Sequence, residues 1–152
     1  MDRLHKIAHG RIAVLGVGNV LRADDGAGSL AAAALRSDFP DVVFDGGQAP
    51  ENFLGPLRRA EPDTIVIVDA ADFGGAAGEI RVANADELQG MMVATHGAPI
   101  GMIMRAFSEE TGAAAVLVAI QASVVSLGEA MSDEVAAATE RVTRELRELL
   151  SC

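Results

Sequence analysis

Tryptophan and tyrosine are absent from this 152-residue chain, and phenylalanine occurs only five times. A core with so few rings must be filled by Ala, Val, Leu, Ile and Met, and hydrophobic residues do make up half of the sequence. Cysteine occurs once, as Cys152. That excludes an internal disulfide framework and a cysteine-based metal cluster. A terminal residue is also poorly placed to act as a catalytic thiol. Positive charge is scarce: 12 Lys plus Arg stand against 22 Asp plus Glu, a net charge of −10. Such a surface repels phosphate backbones, and no basic run offsets it, so nucleic-acid binding is not expected. No apolar run approaches the ~20 residues of a membrane span, and "MDRLHKIAHGR" lacks the apolar centre of a signal peptide. The chain reads as a soluble, cytoplasmic protein of one domain, residues 1–152, with no membrane partner.

What is present is an alternation of aliphatic runs and helix-forming segments. "RIAVLGV" (11–17), "DVVFDGG" (41–47), "DTIVIVDAADFGG" (63–75) and "AAVLVAIQ" (114–121) read as buried strands, and "GEIRVAN" (78–84) as an edge or antiparallel strand. Between them, "GAGSLAAAALRSD" predicts a helix capped by Asp24 or Asp25, and "ENFLGPLRRAEP" a short helix stopped by Pro62. Residues 97–112 carry Ile100, Ile103, Met104 and Phe107 at helical spacing before Gly112. Residues 132–150 predict an amphipathic helix with Val135, Val142, Leu146, Leu149 and Leu150 on one side. Met92, Met102 and Met104 are expected to pack rather than ligate. The pattern predicts an α/β three-layer sandwich: a twisted, mostly parallel sheet of about five strands with helices on both faces.

In such sheets, ligand sites collect beyond the carboxyl ends of the strands. Three strands deliver acids there: the first to Asp24 and Asp25, the second to Asp45, the third to Asp69 with Asp72 close behind. Asp24 suits a helix cap, and Asp45, before two glycines, suits a turn. Asp69 follows "TIVIV" directly, where a buried carboxylate is costly unless hydrogen-bonded, paired or bound to a cation. Of the three histidines, His5 and His9 fall in an N-terminal tail, whereas His96 lies in a loop before a helix, a common setting for functional residues. Two carboxylates and an imidazole form a donor set suited to Ni, Zn, Fe or Mn with open positions, and such a set can activate water. A dinucleotide reading competes. "GVGNVL" (16–21) holds the first two glycines of G-x-G-x-x-G, but Leu21 replaces the third, and the Asp pair would repel a pyrophosphate.

Four segments, "GVGNVLRADDGAG" (16–28), "DGGQAPEN" (45–52), "IVIVDAADFGGAAGEIR" (65–81) and "TH" with the following Pro99, resemble the hydrogenase maturation endopeptidases. Within that family they look most like the branch acting on the hydrogenase of formate hydrogenlyase complexes. The resemblance implies a peptidase, aspartic-type by family classification, that removes the C-terminal extension of a [NiFe]-hydrogenase large-subunit precursor. It implies Asp25, Asp69 and His96 as metal-binding and catalytic positions. Nickel would arrive on the precursor, with no permanently bound cofactor, and the protein would work as a monomer. A non-proteolytic nickel-sensing module would need the same three residues. Ala122 departs from the proline that tends to follow glutamine in that branch, a region expected to shape partner choice, and the first ten residues look like an extension or a different start.

Overall fold

The computed structural model describes residues 1–88 and 99–152. The aliphatic runs become β1 (Ile12–Val17), β2 (Val43–Gly47), β3 (Thr64–Ala71), β4 (Ile80–Ala83) and β5 (Ala114–Gln121). They form one sheet in the order β2-β1-β3-β5-β4. β1 pairs in parallel with β2 and β3, and β3 with β5, while β4 runs antiparallel to β5 at one edge. All eight residues of β3 are buried, as a central parallel strand covered on both faces requires.

Alternation along the strands divides the core into two slabs. Val14, Val66, Val68, Val116, Val118 and Ile120 pack on one face against α1 (Asp2–Ile7), α2 (Ala27–Arg36) and α5 (Asp133–Leu150). Ala13, Leu15, Ile65, Ile67, Leu117 and Ala119 face the other way, onto α3 (Leu54–Ala60) and α4 (Ile100–Thr111). This is the three-layer α/β sandwich that the sequence pattern predicts. Val135, Val142 and Leu146 of α5 are fully buried, and Leu149 and Leu150 pack at its end. Gly112 closes α4 in the left-handed conformation (φ 78°), a standard C-terminal stop. α3 ends one step before the expected stop, with Glu61 at φ 50° and Pro62 just beyond.

Three expectations are corrected. The N-terminal tail holds a packed element: residues 2–7 form a helix, and Leu4 is 0 % exposed against the α2 and α5 face. Apolar burial of one leucine outweighs the short helix's weak propensity. Met104 packs as expected, but Met102 is 65 % exposed, because its position on α4 turns away from the sheet; Met92 lies outside the described residues. β3 stops at Ala71, since residues 72–75 turn across the end of β5 to bond with Gln121.

The approach of α2 to the sheet is set by glycine. A Cβ at Gly28 would lie 2.1 Å from the Val68 carbonyl oxygen and 2.2 Å from that of Val17. Only a residue without a side chain lets the first turn of α2 rest on the ends of β1 and β3. Among the described residues, no helix is long and apolar enough to cross a membrane.

Candidate active site at the carboxyl ends of β1 and β3

Strand register places the acids at one level. Gly16 of β1 pairs with Asp45 of β2 on one side and with Val68 of β3 on the other, so Asp69 stands one residue beyond that line. After β1 the chain does not run straight into α2. Residues 18–22 fold back, with Asn19 Oδ1 accepting from the Leu21 N–H (3.0 Å) and the Asn19 N–H donating to the Asp25 carbonyl (3.0 Å). A single 3-10 turn, Ala23–Gly26, then carries both aspartates. This turn packs on β3, the strand that carries Asp69. Both are hidden from solvent: Asp25 is 5 % exposed and Asp69 1 %. His96 lies outside the described residues.

Asp24 does something the sequence reading missed. It caps no helix: α2 receives no side-chain cap, and its N-terminal flank is Gly26. The Asp24 carboxylate instead accepts from the backbone N–H groups of Ser123 and Val124 (both 2.8 Å) and of Ser132 (2.7 Å), and from the Ser132 hydroxyl (2.9 and 3.0 Å). The Asp24 N–H donates in turn to the Val124 carbonyl (2.8 Å). Burial pushes this carboxyl up, but the bonds from Val124, Ser123 and Ser132 outweigh it and hold Asp24 below the usual carboxylate value. Ser132 flanks the first residue of α5, so one buried anion anchors the loop after β5 and the start of the last helix. The partners lie 99 to 108 residues away, which is why local capping rules pointed elsewhere.

Asp45 and Asp72 keep their modest roles. Asp45 Oδ1 accepts from the Gly47 N–H (3.1 Å), the expected turn bond. Its residue also lines a cavity of about 280 Å³ with Gly18, Asn19, Val20, Leu21 and Ser29. Asp72 accepts from the Gly74 N–H (3.1 Å) and the Gln121 amide (3.2 Å), bonds that hold its carboxyl low. Gln121 is the second residue missed. Its buried Oε1 accepts from the Phe73 and Gly75 N–H groups (2.9 and 3.1 Å), fixing the turn that follows Asp69. The signal was a glutamine ending an otherwise aliphatic strand, a polar group that must find partners when buried.

The dinucleotide reading is disfavoured by this geometry. The first turn of α2, where a pyrophosphate would rest, is covered by the Ala23–Gly26 turn and buried against β1 and β3.

A doubly covered, mostly parallel sheet with buried acids gathered at two adjacent strand ends defines an α/β protein with its site at the carboxyl edge. Comparison with known proteins narrows this: the family model for HycI, hydrogenase maturation protease, matches residues 31–148, and the chain belongs to that family. The match starts beyond the Asp24–Asp25 turn, so it does not rest on the acidic pair. The chain is 36 % identical over 138 residues to the hydrogenase 3 maturation protease of Escherichia coli K12, covering 88 % of this chain and 86 % of the relative. Among solved structures it is similar to the [NiFe] hydrogenase maturation protease HycI of Thermococcus kodakarensis (TM-score 0.84, 34 % identity, 93 % of both chains). It is also similar to the endopeptidase HycI of E. coli (TM-score 0.80, 34 % identity, 91 % of this chain and 90 % of that one).

Proposed function

We propose that this peptidase removes the C-terminal extension of a [NiFe]-hydrogenase large-subunit precursor once nickel is in place, and that Asp25, Asp69 and His96 read the metal. The observation that carries the reading is the burial of Asp25 and Asp69 at one end of β1 and β3. Carboxylates held there, with an imidazole, are a donor set for a borderline divalent ion such as nickel. The relatives named above are hydrogenase maturation proteases, which supplies the substrate class.

On this reading nickel belongs to the substrate. Its remaining coordination positions accept Asp25, Asp69 and His96, which seats the scissile segment; a precursor without nickel lacks those contacts and is not positioned. Hydrolysis needs a water, which attacks the scissile carbonyl while a carboxylate or His96 takes its proton and the leaving amine is protonated. The aspartic-type label fits a reaction in which side-chain carboxylates handle that proton. Asp24 is not part of such a pair, because its carboxylate is committed to the loop after β5.

The test is to incubate the protein with nickel-loaded precursor and weigh the large subunit. Loss of a C-terminal peptide supports the peptidase, whereas binding without cleavage identifies a nickel-sensing checkpoint. Normal processing by Asp69→Asn and His96→Ala would show that the metal-reading residues lie elsewhere.

A further inference from the structure

The first and last helices bring together a second set of metal donors, built from none of the residues of the candidate active site. α5 carries Glu145 and Glu148 three residues apart, which puts both carboxylates on one face of the helix. α1 lays His5 against that face, with His5 Nε2 2.7 Å from Glu145 Oε2. One donor atom from each of His5, Glu145 and Glu148 lies within 4.8 Å of the other two. Among the described residues, no other group of three His, Cys, Asp or Glu side chains is placed this way. Two glutamates alone would be an ordinary solvated pair. The imidazole delivered from a separate helix is what sets this group apart.

His5 is not left to a fraying end of the chain. Leu4 beside it is 0 % exposed in the α2 and α5 cluster, and Arg3 donates to the Val82 carbonyl (2.6 Å) and pairs with Glu87. The charges then call for a cation. Carboxylates one turn apart repel, and His5 bonds to only one of them. Arg147, next to Glu148 in sequence, is turned to Asp38 and the Ala34 carbonyl. The donor chemistry selects the kind of ion: one imidazole nitrogen with carboxylate oxygens suits borderline divalent ions such as Zn²⁺, whereas Ca²⁺ and Mg²⁺ favour oxygen alone. His5 and Glu148 are exposed and Glu145 half-buried, so an ion can enter and water can complete its coordination.

We propose that His5, Glu145 and Glu148 bind a borderline divalent cation of the Zn²⁺ class, and that this ion ties the N-terminal helix to the C-terminal one. The imidazole and the Glu145 carboxylate exchange their mutual hydrogen bond for the ion, and Glu148 joins them. α5 is then pinned at both ends, by Asp24 at Ser132 and by the ion at Glu145 and Glu148. The ion is structural and belongs to this chain, so the inference stands apart from the processing function proposed above.

The experiment titrates zinc chloride by calorimetry into the full wild-type chain and into His5→Ala, Glu148→Gln, Asp69→Asn and Cys152→Ser. The wild type is expected to bind one equivalent that Asp69→Asn and Cys152→Ser retain, which separates this site from the candidate active site and from the terminal thiol. Either His5→Ala or Glu148→Gln should raise the Kd of that equivalent by about tenfold or more. Zinc at about a hundred times Kd should raise the melting temperature by about 5 °C in the wild type and not in these two variants. His5 and Glu148 are exposed, so both variants keep the fold, and their melts without metal check it. Absence of zinc binding, or an equivalent that survives either His5→Ala or Glu148→Gln unweakened, would overturn the proposal. So would an equivalent lost in Asp69→Asn or Cys152→Ser, since the ion would then sit elsewhere.

Discussion

Asp24 and Asp25 are neighbours in one turn, yet they serve regions of the molecule with different demands. On the Asp24 side, a carboxylate with 0 % exposure is saturated by backbone N–H groups and a hydroxyl from residues 123–132. Both of its oxygens are in use, so it has little to offer a substrate. On the Asp25 side, the same turn packs against β3, the strand that carries Asp69, and both acids are buried. The turn that carries Asp25 is thus held in place through the Asp24 carboxylate and its bonds to residues 123–132.

The contrast can be broken most severely from the Asp25 side. Asp25→Asn or Asp69→Asn is expected to slow precursor processing by about 10²–10⁴-fold while leaving the melting temperature nearly unchanged, the range lost with a proton-handling or positioning group. Mass spectrometry of the large subunit and a thermal melt on the same samples check both halves. Next is Gly28→Ala, which drives a methyl into the Val17 and Val68 carbonyls and should cost about 3 kcal/mol or more by denaturant unfolding. An unchanged midpoint would mean that α2 does not set the spacing of the two strand ends.

Asp24→Ala should reverse the Asp25 pattern, lowering stability by about 2 kcal/mol because buried N–H groups lose a charged acceptor. The acid limb sharpens this. Asp24 is held below the ~3.9 of an unfolded aspartate, so its contribution is complete above that value and fades as pH falls through the folded-state value. Asp24→Asn should therefore flatten the loss of stability below about pH 4; an identical acid limb in both proteins would remove the anchor from the account. The smallest effect belongs to the exposed Arg58–Glu110 pair (2.7 Å), where Arg58→Ala should change stability by under about 1 kcal/mol and less in salt.

Much of the fold was legible because hydrophobic period is a local property. Four strands follow from aliphatic runs and β4 from apolar–polar alternation, and α5 follows from Val135, Val142 and Leu146 at helical spacing. Asp69 stood out for a similar reason: an acid directly after "TIVIV" is conspicuous in one dimension. Asp24 was misread because helix capping is a local rule and its real partners are distant in sequence. The burial of Leu4 and the Gln121 bonds to Phe73 and Gly75 escaped for the same cause, since each depends on what the fold places beside them.

The reach of the Asp24 anchor also bears on the order of assembly. Joining residue 24 to residues 123, 124 and 132 closes a loop of roughly a hundred residues. Contacts of such separation form late, and on a ribosome they must wait until the C-terminal third has emerged. β1 and α2 can pair and collapse earlier, but the turn bearing Asp25 acquires its fixed partner only when the start of α5 arrives. A chain built this way leaves the turn of Asp24 and Asp25 unset through most of its own synthesis.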